Sequence, residues 1–168
     1  MKKADLEHME SSVAQALDLI GDWWTIMIIR DGLLGITRFD EFHNHLGIAR
    51  NVLSTRMKRL VEAGIMEKKL YIDRPARYDY LLTNKGAELL SVILALRQWG
   101  DRWIFPNGGA PFRVTHALCG GSPQVSARCE LCGEEINSME GFDLEVQARE
   151  NDREAEFWAR RKGQLSKG

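Results

Sequence analysis

Two apolar stripes at helical spacing, set almost end to end, constrain this chain more than any other feature. In TRFDEFHNHLG the residues Phe39, Phe42 and Leu46 fall on one face, and in NVLSTRMKRLVEAG the residues Leu53, Met57, Leu60 and Val61 do the same. Between them stand Gly47, which stops the first helix, and one clear bridging residue, Ile48. Two short amphipathic helices joined this tightly must cross steeply, as in a helix-turn-helix. Thr37, three positions before Asp40, reads as a variant capping box for the first of them. The second helix, about residues 49–63, leaves Asn51, Ser54, Thr55 and Lys58 facing away from its apolar stripe, with Arg50 at its start and Arg59 on its flank. Any solvated helix shows a polar, basic face, so the neighbouring segments must decide what this one is for.

Those segments point one way. Ser11 and Ser12 open a short helix through Val13, Ala16, Leu17 and Ile20, and Asp22 caps a second, nearly all-apolar helix ending near Gly35. After Gly64 the period shortens. IMEKKLYI and RYDYLLT, separated by DRPA, predict a β-hairpin over residues 65–82. Helical spacing returns from Thr83 to Trp103, on a face wider than one small core requires. The fold expected is mainly α with a small β-hairpin, a winged helix-turn-helix occupying residues 1–105. With 168 residues and 44% hydrophobic composition there is room for one principal core and a small appendage. No apolar run reaches the length of a signal peptide or membrane span, so a soluble, cytoplasmic protein is expected, with no membrane partner.

The net charge of −1 hides a segregation: residues 50–77 hold eight Lys or Arg against three Asp or Glu. A local cationic surface of that kind suits double-stranded DNA. The major groove, about 12 Å wide, admits one α-helix, and the N-terminal residues of a recognition helix reach base edges. On that reading Arg50 pairs with guanine and Asn51 with adenine, while Ser54 and Thr55 meet phosphates or thymine methyls and Lys58 and Arg59 add cations. Arg74 and Arg77, near the hairpin tip, are placed for backbone or minor groove, and Lys68 and Lys69 add general attraction. The surplus apolar surface on the first and last helices calls for a two-fold partner, a homodimer with recognition helices ~34 Å apart. Trp23, Trp24, Trp99 and Trp103 would suit a small apolar effector, but core packing is their commoner use and no effector identity follows.

FPNGGAPF interrupts the helical pattern and opens a cysteine-containing, zinc-ribbon-like extension over residues 106–142, followed by a charged tail over 143–168 that reads as a weakly held helix or disorder. HALCG and CELCG place His116, Cys119, Cys129 and Cys132 in two similar turns. Four nitrogen and sulfur donors make a closed, structural zinc site, with zinc the only cofactor indicated. The short nine-residue gap between the pairs leaves a hairpin with free thiols open as well. Two further functions compete with DNA binding. Cys129 and Cys132 have the spacing of a thiol redox pair, although no βαβ pattern surrounds them and Glu130, Glu134 and Glu135 should raise their pKa. The ribbon and tail alternatively form a protein-interaction module. Neither a phosphate-binding glycine loop nor a nucleophile with a credible base is present, so no catalytic residue is assigned and the chain is not expected to be an enzyme.

The run SVAQALDLIGDWWTIMIIRDGLLGITRFDEF, followed by LSTRMKRLVEAGIMEKKLYIDRPARYDYLLTNKGAEL, resembles the HxlR family of bacterial MarR-like winged-helix transcriptional regulators. The likeness spans about residues 11–103, and GDWWTIMIIRDGL, TRFDEF and YLLTNKG occur in the family's order. It implies a homodimeric, DNA-binding regulator of the cytoplasm. Two departures stand out. Ser11 occupies the place where many family members carry a sensing cysteine, and a serine forms no disulfide. Ala49 and Arg50 replace the serine and proline usual at the start of the recognition helix, so a capping side chain worth about 1 kcal/mol is lost and a cation gained.

Overall fold

A computed structural model describes residues 11–137, and the charged tail anticipated over 143–168 lies outside them. The described chain divides into two compact units, residues 22–126 and a second made of 11–21 with 127–137. The larger contains α2 (Trp23–Leu33), α3 (Phe39–Leu46), α4 (Arg50–Glu62), β1 (Met66–Ile72), β2 (Arg77–Leu82), α5 (Asn84–Ala87) and α6 (Leu90–Trp103). The smaller contains α1 (Ser12–Ile20) and a two-residue-per-strand hairpin, β3 (Ala127–Arg128) and β4 (Glu135–Ile136). Mainly helical with a small antiparallel hairpin, the architecture matches the sequence expectation for the winged helix-turn-helix.

The core of the larger unit forms where α2, α3 and α4 meet the base of the hairpin. Ile28, Ile29, Phe42, Ile48, Leu53, Met57, Leu60, Ile65 and Met66 are all buried. Asp22 caps α2 as expected, its Oδ1 accepting from the backbone N–H groups of Trp24 and Thr25 at 3.1 and 3.3 Å. That helix is less uniformly buried than its apolar sequence suggests, since Trp23 stands out in solvent. The cap of α3 lies one residue later than Thr37. The Arg38 N–H donates to Oε2 of Glu41 at 3.1 Å, whereas the Thr37 hydroxyl turns to Asp79. Gly47 closes α3 in the left-handed region at φ 63°, where a side chain is strained, and Ile48 plugs the core from the turn.

β1 and β2 pair with Met66 opposite Leu82 and Lys68 opposite Tyr80, and a bulge between Leu70 and Ile72 brings Ile72 opposite Arg77. A third, very short edge joins them: Arg38 bridges to Asp79, and the Tyr80 N–H donates to the Thr37 carbonyl at 2.7 Å. The wing is thereby tied directly to the start of α3.

The helix expected from Thr83 to Trp103 is broken into α5 and α6. Thr83 caps the first of them. Its hydroxyl donates to the Gly64 carbonyl at 2.7 Å and accepts from the Gly86 N–H at 3.2 Å, so the first turn is pinned to the base of the hairpin. Gly86 lies buried against Ile65, and a Cβ there would collide with the Ile65 carbonyl oxygen. Gly86→Ala is therefore expected to destabilise the protein by more than ~1 kcal/mol, read as a fall of several degrees in Tm by thermal melting. An unchanged Tm would contradict this packing.

Candidate nucleic-acid interface

The burial of α4 sorts its side chains. Leu53, Met57 and Leu60 are buried and Val61 is partly so, which leaves Asn51, Ser54, Thr55 and Lys58 exposed along the opposite side, as the spacing predicts. Thirteen residues are too few for a stable isolated helix in water, so α4 depends on that apolar seat. Ala49 holds the N-cap position without a side-chain bond, leaving the first backbone N–H groups of α4 uncapped by any side chain.

Polar contacts refine the picture residue by residue. Arg50 Nη2 lies 2.8 Å from Asp40 Oδ1, and its Cζ stands 5.8 Å from the centre of the Phe39 ring. The Thr55 hydroxyl donates back to the Asn51 carbonyl at 2.8 Å. Lys58 is 3.7 Å from Glu62, an exposed pair one turn apart. Arg59 lies on the half-buried flank. On the hairpin, Arg74 is almost wholly exposed, 3.8 Å from Asp73, and Arg77 is exposed.

Three basic side chains play parts that the sequence does not announce. Arg56 belongs to the cationic run but turns toward the protein, its Nη2 2.9 Å from Asp22 Oδ2, so the residue that caps α2 also anchors α4. Lys68 sits 3.7 Å over the Tyr78 ring and 6.0 Å from Tyr80. Arg38, not singled out by any sequence pattern, lies 5.1 Å over the Tyr71 ring and 3.9 Å from Asp79, on the short edge beside the wing. Behind the turn, the fully buried Asp31 accepts from Arg30 Nη2 at 2.6 Å and lies 2.7 Å from His45 Nδ1, while His43 Nδ1 lies 2.7 Å from the Ile48 carbonyl. A buried carboxylate is tolerable because both oxygens are engaged. These contacts tie α2 and α3 to the turn that presents α4.

The two cysteine-bearing turns share one internal frame. In the larger unit, the His116 N–H donates to Gly121 O at 2.7 Å, the Gly120 N–H donates to His116 O at 2.8 Å, and Gly120 has φ 69°. In the smaller, the Cys129 N–H donates to Glu134 O at 2.9 Å, the Gly133 N–H donates to Cys129 O at 2.8 Å, and Gly133 has φ 72°. His116 Nδ1 lies 3.3 Å from Cys119 Sγ. The backbone N–H groups of Cys132 and Leu131, together with the Cys132 side chain, hold the Cys129 thiol below its ordinary pKa. The rise expected from the neighbouring glutamates is not found, and the only effect opposing these donors is desolvation. Within neither unit, among the described residues, do three or more His, Cys, Asp or Glu side chains come together as a metal would require. Within the larger unit the chain up to Ser126 is tied to α6. Gln98 exchanges side-chain bonds of 2.9 and 3.0 Å with the Val125 backbone, and Arg97 Nη2 donates to Pro123 O at 3.0 Å.

A helix-turn-helix with an outward polar face on its second helix and a basic hairpin beside it defines a winged-helix protein of the DNA-binding class. Residues 19–107 match the HxlR-like helix-turn-helix family, and the chain belongs to that family. It is 38% identical over 140 residues to the HTH-type transcriptional regulator Rv3095 of Mycobacterium tuberculosis, covering 82% of this chain and 89% of the relative. A crystal structure described as the transcription factor PA1607 superposes with a TM-score of 0.73 at 34% identity, covering 81% of this chain and 94% of that one. The reduced form of the redox regulator HypR superposes with a TM-score of 0.52 at 28% identity, covering 58% of this chain and 99% of that one. The protein is thus a transcriptional regulator of helix-turn-helix type, and such regulators are not an enzyme class. Among the described residues no helix is long and apolar enough to cross a membrane.

Proposed function

We propose that the protein acts in the cytoplasm as a homodimeric, sequence-specific DNA-binding regulator. In this reading α4 enters the major groove and the β1–β2 hairpin rests on the backbone or in the adjacent minor groove. The supporting observation is the outward row Asn51, Ser54, Thr55 and Lys58, left in solvent by the burial of Leu53, Met57 and Leu60. Arg50 and Asn51 stand at the end of the helix that reaches bases first. Because the Thr55 hydroxyl hydrogen is engaged by Asn51, its methyl is the better candidate for contact with a thymine, and Ser54 the better phosphate donor. Arg59, Arg74 and Arg77 contact phosphates, which position the protein without reading sequence.

The dimer is supported by α6, none of whose residues is fully buried. Leu96, Trp99 and Trp103 are 53, 60 and 66% exposed. Apolar surface of that extent on one helix is costly to leave in water and is the usual mark of an interface. Val13 and Leu17 of α1 are exposed in the same way.

For the cysteine-bearing turns, we propose that each contributes a pair of ligands to structural zinc, His116 with Cys119 and Cys129 with Cys132. The support is the hydrogen-bond frame that each turn holds on its own and the chemistry of the donors, which suits zinc. When bound, the ion would supply folding free energy and no catalysis. The thiol redox and interaction-module readings are not favoured by a family of transcriptional regulators.

Four measurements test these readings. Binding to randomly chosen duplex at several salt concentrations should show a shallower salt slope, by about two, for the Arg74→Ala/Arg77→Ala variant than for wild type, because two phosphate contacts are lost. Equal slopes would defeat the wing assignment. Asn51→Ala should instead alter the bases selected from a random pool. Sedimentation at micromolar concentration should give a dimer, with Trp99→Glu shifting it towards monomer; a monomeric wild type would refute the interface. Metal analysis of protein purified without chelator should find about one zinc per chain, lost together with one ligand pair on Cys129→Ser/Cys132→Ser. Less than ~0.1 equivalent in the wild type would remove the zinc proposal.

A further inference from the structure

Arg50 is the first residue of α4, and what holds it lies on the preceding helix. Asp40, in the first turn of α3, places Oδ1 2.8 Å from Arg50 Nη2, and the neighbouring Phe39 ring stands 5.8 Å from the guanidinium carbon. The two charged side chains are 61 and 71% exposed. An ion pair so open to water adds little to stability, so the contact has no strong structural purpose. Its geometric effect is larger. Arginine carries five N–H donors in a rigid fork, and one carboxylate oxygen occupies only part of that fork. The remaining N–H groups stay available while the contact biases where the long side chain points.

We propose that Asp40 is a specificity-determining positioning residue that orients Arg50 toward a base edge and away from the DNA backbone. The inference rests on the reading of α4 as the groove-facing helix. Two physical effects carry it. A guanidinium biased toward one orientation by Asp40 and flanked by Phe39 surrenders less rotamer entropy on docking than a free one, which favours the bidentate geometry guanine requires. A carboxylate beside the guanidinium also repels phosphate oxygens, so the pair makes a poorer backbone contact than arginine alone. Free arginine at this position would bind any duplex; arginine held by Asp40 gives up part of that general affinity for discrimination. The same logic separates Arg50 from Arg74, whose neighbour Asp73 lies 3.8 Å away on an exposed hairpin tip where the two side chains are 95 and 81% exposed.

The test is a double-mutant cycle on the full chain. Wild type selects from a randomised 30-base-pair duplex pool, and the preferred duplex and its single-base variants are then titrated with wild type, Arg50→Ala, Asp40→Ala and the double variant. Asp40→Asn is carried alongside as a shape-preserving change in case Asp40→Ala weakens the first turn of α3. Arg50→Ala and Asp40→Ala should each reduce discrimination at the same guanine by about tenfold, and the double variant should lose no more than either. Asp40→Ala, with Arg50 intact, should also bind unselected duplex more tightly and steepen its salt dependence by about one ion, which a structural role would not produce. Additive losses, a change at a different base pair, or unaltered selectivity in both Asp40 variants would overturn the positioning role while leaving DNA binding by α4 intact. If wild type itself selected no sequence, the groove-facing reading would fall, and this inference with it.

Discussion

Everything the wing and turn present to solvent depends on the seating of α4 by Leu53, Met57 and Leu60. Each of these side chains is almost wholly removed from water, an effect worth about 1.5–3 kcal/mol apiece. The rest of the helix offers little to hold it. Its outward side is polar, its N-cap is an alanine, and its length is near the lower limit for persistence in water. Position and existence of the helix are therefore one event: α4 forms where the core of α2, α3 and Ile65–Met66 receives it. The Arg56–Asp22 contact adds a polar tie to that seat, through the same residue that caps α2.

This dependence explains which features were legible in the sequence. Hydrophobic period reports which side of an element is buried, so the faces of α4 and the extent of the hairpin could be read directly from Leu53, Met57 and Leu60 and from the strand-like runs on either side of Pro75. Period is silent about partners distant in sequence. The short edge formed by Thr37 and Arg38 has too few residues to show alternation, and Thr37 was equally plausible as a cap until Asp79 arrived to take its hydroxyl. Asp31 resembles the ordinary polar end of a helix. Only His45, fourteen residues on, and the adjacent Arg30 make its burial tolerable.

Charge counting suffers from the same blindness. The cationic run gives a correct sense of which region is basic, yet it treats Arg56 and Lys68 as equivalent to Arg74. In the fold Arg56 is an internal tie to Asp22, and Lys68 lies on the Tyr78 face. A helical position beside the apolar stripe can turn its long aliphatic stem either way, and the choice belongs to a partner thirty-four residues earlier. Arg38, outside the run entirely, joins the hairpin through Tyr71 and Asp79. The candidate interface is consequently a rearranged subset of the basic residues.

The same reasoning separates α4 from α6. Around α4 the apolar groups are covered and the outward polar groups stand in solvent. Along α6 the reverse holds, because Leu96, Trp99 and Trp103 remain in solvent while Arg97 and Gln98 are committed to the backbone near Val125. Those polar bonds occupy one side of α6 and leave the aromatic side with no equivalent partner among the described residues of that unit. As a lone subunit such a helix realises only part of the burial that its apolar residues can contribute. The surface proposed to read DNA lies on α4 and the hairpin of one chain, whereas the interface proposed along α6 needs a second apolar surface to cover it.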